Sequence, residues 1–296
     1  MKRSFLAICS CLLLFAGCKE HDPALTLSAP FTDTTYMLSS VPTTDVHQVL
    51  VEEFTGQGCP NCPTAHTDLD EQVAANPGRI NVISYYFYGG PQTVPDRGSV
   101  HDLRDSIATN ISNSIYGDVG ALPSAGIDRL LPTGSTSILL FESSWNSYIA
   151  NQQAASDSFN LLVTSSYNTV DSVTTATIVV TVTYTQAVSS SQSLSIALVE
   201  DSIVDLQEDN AAASGLDTFY LFTSVFRDMI TSIAGQSILP TYSIKEPGRV
   251  EQFTYNYSLP KDSPAIIPAH CRIIAFVTES DNNRPILQSA QCKLGP

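Results

Sequence analysis

Two hydrophobic periodicities divide the chain. Between residues 46 and 152, short apolar runs alternate with stretches of helical spacing. Val46, Val49, Leu50, Val51 and Phe54 make the run expected of a buried strand. Ala65, Leu69 and Val73 then recur every fourth residue, as on one face of a helix, and Asn76-Pro77-Gly78 stops them. Ile80 to Tyr88 reads as a second strand. Val100, Leu103, Ile107 and Ile111 predict a helix from Ser99, with Ser99-x-x-Asp102 in the form of a capping box. Ala125 to Leu131 reads as a short strand, and Phe141, Trp145, Tyr148 and Ile149 as the face of a helix over 138–152. From Ser158 the period falls to two. Ile178, Val180, Val182 and Tyr184 alternate with threonines; Leu194, Ile196 and Leu198 alternate with serines; Phe253, Tyr255, Tyr257 and Leu259 alternate with polar residues. Seven or eight such strands predict an all-β, Ig-like sandwich. Residues 220–240 fit either a strand or a short helix or loop.

The start of the chain follows neither rule. Met1-Lys2-Arg3 is basic, and the apolar run from Ser4 to Phe15 is too short to span a bilayer core of ~30 Å. It ends in Phe15-Ala16-Gly17-Cys18. Small residues before a cysteine resemble the lipobox of bacterial lipoproteins, with Phe15 where leucine is usual. That resemblance implies a signal peptide over 1–17 and lipid on Cys18, so that acyl chains, rather than a helix, hold the protein to the membrane. An ordinary signal peptide with an incidental cysteine is the rival. Lys19-Glu20-His21-Asp22 resembles the surface-export signal of Bacteroidetes lipoproteins. Residues 18–45, rich in Thr, Ser, Asp and Pro, read as the acylated N-terminus and a tether. The expected domains are 46–156 and 157–296.

Composition removes some functions. The net charge is −15, and losing Lys2 and Arg3 with the signal makes it more negative. With no basic stripe, a phosphate backbone is repelled, and nucleic acid is excluded as a partner. Export permits disulfides. Cys9, Cys11 and Cys18 belong to the leader and the lipid site, which leaves Cys59, Cys62, Cys271 and Cys292. Cys271 and Cys292 flank two strand patterns with the turn 281–284 midway between them, so a structural cross-strand disulfide is expected.

Cys59-Pro60-Asn61-Cys62 falls where a strand passes into a helix. A helix N-terminus stabilises a thiolate there through its unpaired N–H groups and dipole, and Pro60 and Pro63 cost little in a first turn. The alternative is an inert local disulfide. Zinc would need about four ligands, and Cys59, Cys62 and His66 give at most three. Pro63 stands where a c-type haem needs histidine. Gly56-Gln57-Gly58 lacks the rest of a nucleotide fingerprint, and no hydrolase motif occurs. No cofactor or metal is expected.

The segment VLVEEFTGQGCPNC resembles the active-site segment of the thioredoxin superfamily. The resemblance implies an α/β thioredoxin-like domain. It assigns Cys59 as attacking thiolate, Cys62 as resolving thiol and Glu53, six residues before Cys59, as proton acceptor. Gly58 replaces the usual aromatic residue. It also implies that Pro123, in Gly120-Ala121-Leu122-Pro123, is the cis-proline facing the motif. Leu122 would offer its backbone to a bound peptide, with Pro60 and Asn61 on the substrate side. The partners implied are protein thiols or disulfides of the envelope.

Further pieces resemble Bacteroidetes lipoproteins related to the 28-kDa outer-membrane protein: Gly126-Ile127-Asp128-Arg129, Leu198-Val199-Glu200-Asp201, Val225-Phe226-Arg227 and IIAFVTESDNNRPILQSAQ. Phe222-Thr223-Ser224 departs from that family, which often carries a His-Asn-His-like stretch there. Two functions are expected from all this: thiol–disulfide exchange in the envelope, or a non-enzymatic surface adhesin or ligand-binding lipoprotein. A haem or metal chaperone fits poorly with three methionines and five histidines.

Overall fold

The computed structural model describes residues 29–261, 265–280 and 284–295. Cys18 and the leader lie outside them. The first half contains β1 (Phe31–Met37), β2 (Val49–Thr55), α1 (Cys62–Ala75), β3 (Ile80–Tyr86), α2 (Ser106–Ile111), β4 (Ser124–Ile127), β5 (Leu140–Phe141) and α3 (Glu142–Gln152). The second half is strands and loops with one 3-10 turn at Pro268–His270: β6 (Phe159–Val170), β7 (Val173–Tyr184), β8 (Gln192–Glu200), β9 (Ile203–Glu208), β10 (Leu216–Phe222), β11 (Val225–Met229), β12 (Gln236–Ser237), β13 (Arg249–Ser258), β14 (Cys271–Glu279) and β15 (Ile286–Lys293). The fold is therefore β-rich with few helices. None of the described helices is long and apolar enough to cross a membrane.

Three sheets result. A nine-stranded sheet runs β15-β14-β8-β11-β3-β2-β4-β5, with β12 paired to β8. A four-stranded sheet runs β1-β13-β7-β6, and β9 and β10 form a separate hairpin. Within the large sheet β2 and β3 are parallel, joined through α1, while β4 returns antiparallel to β2. Beyond β3 the sheet continues into strands of the second half: β11 pairs parallel with β3 at Val225 and Ser84. The two stretches expected as separate domains thus contribute to one sheet.

Burial follows from strand alternation. Leu194, Ile196 and Leu198 of β8 face the four-stranded sheet, where Ile178, Val180, Tyr184, Phe253 and Tyr255 meet them. Ala197 and Val199 point the other way, into a second cluster with Phe54, Tyr85, Phe226 and Phe276. A third cluster packs Ala65 and Leu69 of α1 and Trp145 and Ile149 of α3 against β2, β3 and β4. Residues 31–37, read as tether, instead form β1 at the edge of the four-stranded sheet, in register with β13 from Phe31–Tyr255 to Met37–Arg249. Their side chains are mostly exposed, so main-chain pairing and not apolar burial recruits them. The helix expected from Ser99 is shorter, because Asp105 caps it by accepting from Ile107 N and Ala108 N at 2.7 and 2.9 Å. Residues 220–240 resolve into β10, β11 and β12.

Candidate functional site

Strand β2 is buried along its whole length, so its two adjacent carboxylates leave on opposite faces of the sheet. Glu52 enters the aromatic cluster, where Arg129 grips it in a fork (Nε to Oε2 2.6 Å, Nη2 to Oε1 2.8 Å). The hydroxyls of Tyr116 and Tyr85 donate to it at 2.5 and 3.0 Å. Both charges are sealed, with Glu52 0% and Arg129 3% exposed. Arg129 is thereby held cationic, the nearby carboxylate more than offsetting the penalty of burial. Asp128 acts likewise on the other side: its Oδ2 takes the Nε2 of buried His47 at 2.9 Å, and Asp157 Oδ1 stands 3.1 Å from Nδ1. Burial alone would lower the His47 pKa, but the two carboxylates raise it to about 9. Each residue of the Gly126-Ile127-Asp128-Arg129 stretch has a buried task, Ile127 in the third cluster. A Cβ on Gly126 would lie 2.5 Å from the Tyr116 hydroxyl, and the next two polar residues each neutralise a buried partner.

Glu53, on the opposite face, accepts from Ser84 Oγ at 2.9 Å and faces His66 Nε2 at 3.1 Å. The other ring nitrogen of His66 lies 2.6 Å from the Tyr220 hydroxyl of β10. Burial opposes a proton on His66, but Glu53 prevails and the pKa is raised. His66 Nε2 also lies 3.0 Å from Thr55 Oγ1, so a protonated His66 pairs its charge with Glu53 while its two ring nitrogens hydrogen-bond Thr55 and Tyr220.

The chain leaves β2 through Gly56 and Gly58. A Cβ on Gly56 would lie 2.3 Å from the Gln92 carbonyl oxygen, and one on Gly58 2.7 Å from that of Val94. Gly58 therefore stands in place of an aromatic residue because the 91–94 loop occupies that space. Cys59 and Cys62 are joined in a disulfide with their Cα atoms 5.4 Å apart. Cys62 opens α1, and Cys62 N donates to Cys59 O at 3.1 Å. The Leu122–Pro123 bond is cis. Leu122 and Pro123 line, with Asn61, Thr64 and Phe141, a groove of ≈ 500 Å³.

One requirement of exchange chemistry is not met. Cys59 and Cys62 are both 0% exposed; of the motif only Pro60, in part, and Asn61 reach the surface. The β9–β10 hairpin is bonded to this segment. Gln207, itself fully buried, donates its amide to Cys59 O at 3.0 Å and Gly56 O at 3.2 Å. Glu208 N donates to Gln57 O, Asn210 N to Pro60 O, and the Asn210 amide to Asn61 Oδ1 at 2.6 Å. Together with Tyr220 on His66, these contacts fasten the hairpin across the motif. The accessible thiolate expected at Cys59 is therefore absent from this conformation. Gln207, Asn210 and Tyr220 carry no local signal of this role, since they lie some 150 residues from the motif and nothing in their own neighbourhood marks them.

Cys271 and Cys292 are free thiols and not the expected disulfide. The β14–β15 register explains this. It sets Cys292 opposite Ile273, two residues from Cys271. Cys271 Sγ instead points to the Ile267 carbonyl and Cys292 Sγ to Ser165 Oγ. Burial, with Glu200 adding to it, pushes the Cys271 thiol up to about 12.

Among solved structures the chain resembles HBP35 of Porphyromonas gingivalis, with a TM-score of 0.61 and 15% identity over 84% of this chain and 76% of that one. A weaker likeness, TM-score 0.47 and 10% identity, covers 86% of this chain and 97% of a protein from Agrobacterium tumefaciens. The first likeness speaks to fold alone. No curated protein matches the chain. Residues 110–296 match the family described as outer membrane protein Omp28, well over half of the sequence, and the chain belongs to the Omp28 outer membrane protein family.

Proposed function

We propose that this chain is a surface lipoprotein, anchored at the outer membrane through lipid on Cys18, that acts as a non-catalytic binding scaffold. In this reading residues 46–156 form a thioredoxin-like unit, 157–296 supply a β-sandwich, and the Cys59–Cys62 disulfide is a clasp. One observation carries the reading: both cysteines are fully buried, in a segment whose backbone from Gly56 to Pro60 is bonded to the β9–β10 hairpin. Thiol–disulfide exchange needs a thiolate to approach a sulfur directly, and rates follow access. Family membership supports the outer-membrane or surface location.

A second reading is favoured by the groove at Leu122 and Pro123 and by the Glu53–His66 pair beneath the motif. There the hairpin lifts and a partner thiolate attacks Cys59. The Cys59–Cys62 bond breaks as the mixed disulfide forms, and Cys62 leaves as a thiolate that takes up a proton. A second partner thiol then resolves the mixed disulfide, leaving the partner oxidised and the motif reduced. Insulin reduction by wild type and Cys59→Ser, together with alkylation of the native protein after mild reductant, separates the two. Background activity in both proteins and labelling of the pair only after unfolding is the expected result. Turnover that disappears in Cys59→Ser overturns the scaffold reading.

A further inference from the structure

Away from the disulfide, the loop joining β7 to β8, the loop joining β12 to β13 and the end of β14 enclose a pocket of ≈ 390 Å³. Its lining is mostly polar, with Ser191, Gln192, Ser237 and Ser280 and one cation, Lys245, beside an apolar stretch over residues 238–240 and the Tyr242 ring. Lys245 is only 3% exposed. Its ammonium donates to the Ser190 carbonyl, and among the described residues that is its one acceptor, so two of its three N–H donors are unused. Glu251, whose charge favours the Lys245 cation, makes no ion pair with it among the described residues and accepts instead from Leu239 N at 2.8 Å. Burial lowers the Lys245 pKa, the mark of a cation short of compensation. Gln192 is 3% exposed as well, and Tyr184 fixes its amide by donating to Oε1 at 2.6 Å. The amide nitrogen is left with no acceptor among the described residues.

Lys245 keeps spare donors and Gln192 an unpaired amide nitrogen at this pocket, and donors of this kind are satisfied by a ligand rich in acceptors. The cation calls for a negative group and the hydroxyls for a polyhydroxyl body; the Tyr242 ring, covered by the Arg249 guanidinium at 4.9 Å, forms a wall of the pocket. The volume lies within the range of small-molecule sites. We propose that this pocket binds an acidic monosaccharide, its carboxylate on Lys245 and its ring hydroxyls on Gln192 and the serines. An anionic ligand is otherwise a poor match for so acidic a chain, which makes a recessed, single-cation site the place where it can be held.

The proposal rests on reading the chain as a binding module and names its ligand class. The test titrates the full mature chain with D-glucuronic acid and N-acetylneuraminic acid, with glucose and acetate as controls, by saturation-transfer NMR and calorimetry. An acidic sugar should bind at least about tenfold more tightly than either control. Lys245→Met should remove that advantage. Because Lys245→Met can disturb folding, Ser237→Trp, at an exposed rim position, provides a second block: binding should be lost at unchanged Tm. No binding of either acid at about 20 mM, equal binding of glucose or acetate, or full affinity in both variants overturns the proposal. Insulin reduction together with sugar binding would remove the scaffold reading and keep the pocket; neither activity would do the reverse.

Discussion

Gln207→Ala tests whether the hairpin guards the disulfide. The native amide nitrogen serves three carbonyls, those of Gly56, Cys59 and Glu208, at 3.0–3.2 Å. Gly56 O and Cys59 O keep one partner each within the turn, since Cys59 N and Cys62 N donate to them. The loss is therefore less than that of fully orphaned acceptors, and about 2 kcal/mol is the expected cost for a buried group of this kind. If reduction proceeds through hairpin opening, that cost appears in the opening equilibrium and accelerates reduction by dithiothreitol roughly 30-fold, at 1.4 kcal/mol per tenfold. The assay follows the appearance of the two thiols by rapid acid quench and alkylation, read by mass spectrometry, well below the unfolding transition. Asn210→Ala, which removes only an exposed amide contact, should give a smaller acceleration. A Gln207→Ala rate equal to wild type, with the variant shown to be destabilised, would refute the idea that this hairpin controls access.

Three further outcomes follow from the buried charges and thiols. His47 has a folded pKa of about 9 against 6.5 in the unfolded chain, so its stabilisation of about 3 kcal/mol is complete below pH 6.5 and is lost as pH rises through 9. Urea denaturation should show that decline in wild type and a flatter profile in His47→Gln. Arg129→Met strands Glu52 in the apolar core and should cost about 3–5 kcal/mol in chemical denaturation, whereas the double variant Glu52→Gln/Arg129→Met should recover much of it; a double variant no better than the single would count against the ion pair as the cause. Thiol titration of unreduced, denatured protein beginning at residue 19 should find two thiols, Cys271 and Cys292, and a count of zero would restore the cross-strand disulfide.

What the sequence disclosed was whatever depends on neighbours along the chain. The passage from β2 through the motif into α1 and β3 is written in contiguous apolar spacing, and the alternation in β7, β8 and β13 gives their inward faces directly. What it withheld depends on pairing at a distance. Glu52 and Glu53 read alike in VEEF, yet only the sheet decides that one meets Arg129 and the other His66. The hairpin bonded to the Cys59 segment comes from a polar stretch whose pattern has no reason to stand out. The position of Cys292 turned on the register of the β14–β15 ladder, which a midpoint between cysteines does not reveal.

The pairing of β11 with β3 also dictates an order of events during synthesis. On the side of β3 turned away from β2, Asp105 N meets Tyr86 O early, but Ser84 N has no acceptor until residue 224 has been made, well over a hundred residues later. Contacts so remote form slowly, and a bare parallel strand invites pairing with a neighbouring chain in the interval. The nascent protein must therefore be shielded over that stretch, and a polypeptide halted near its middle would emerge sticky rather than half-finished.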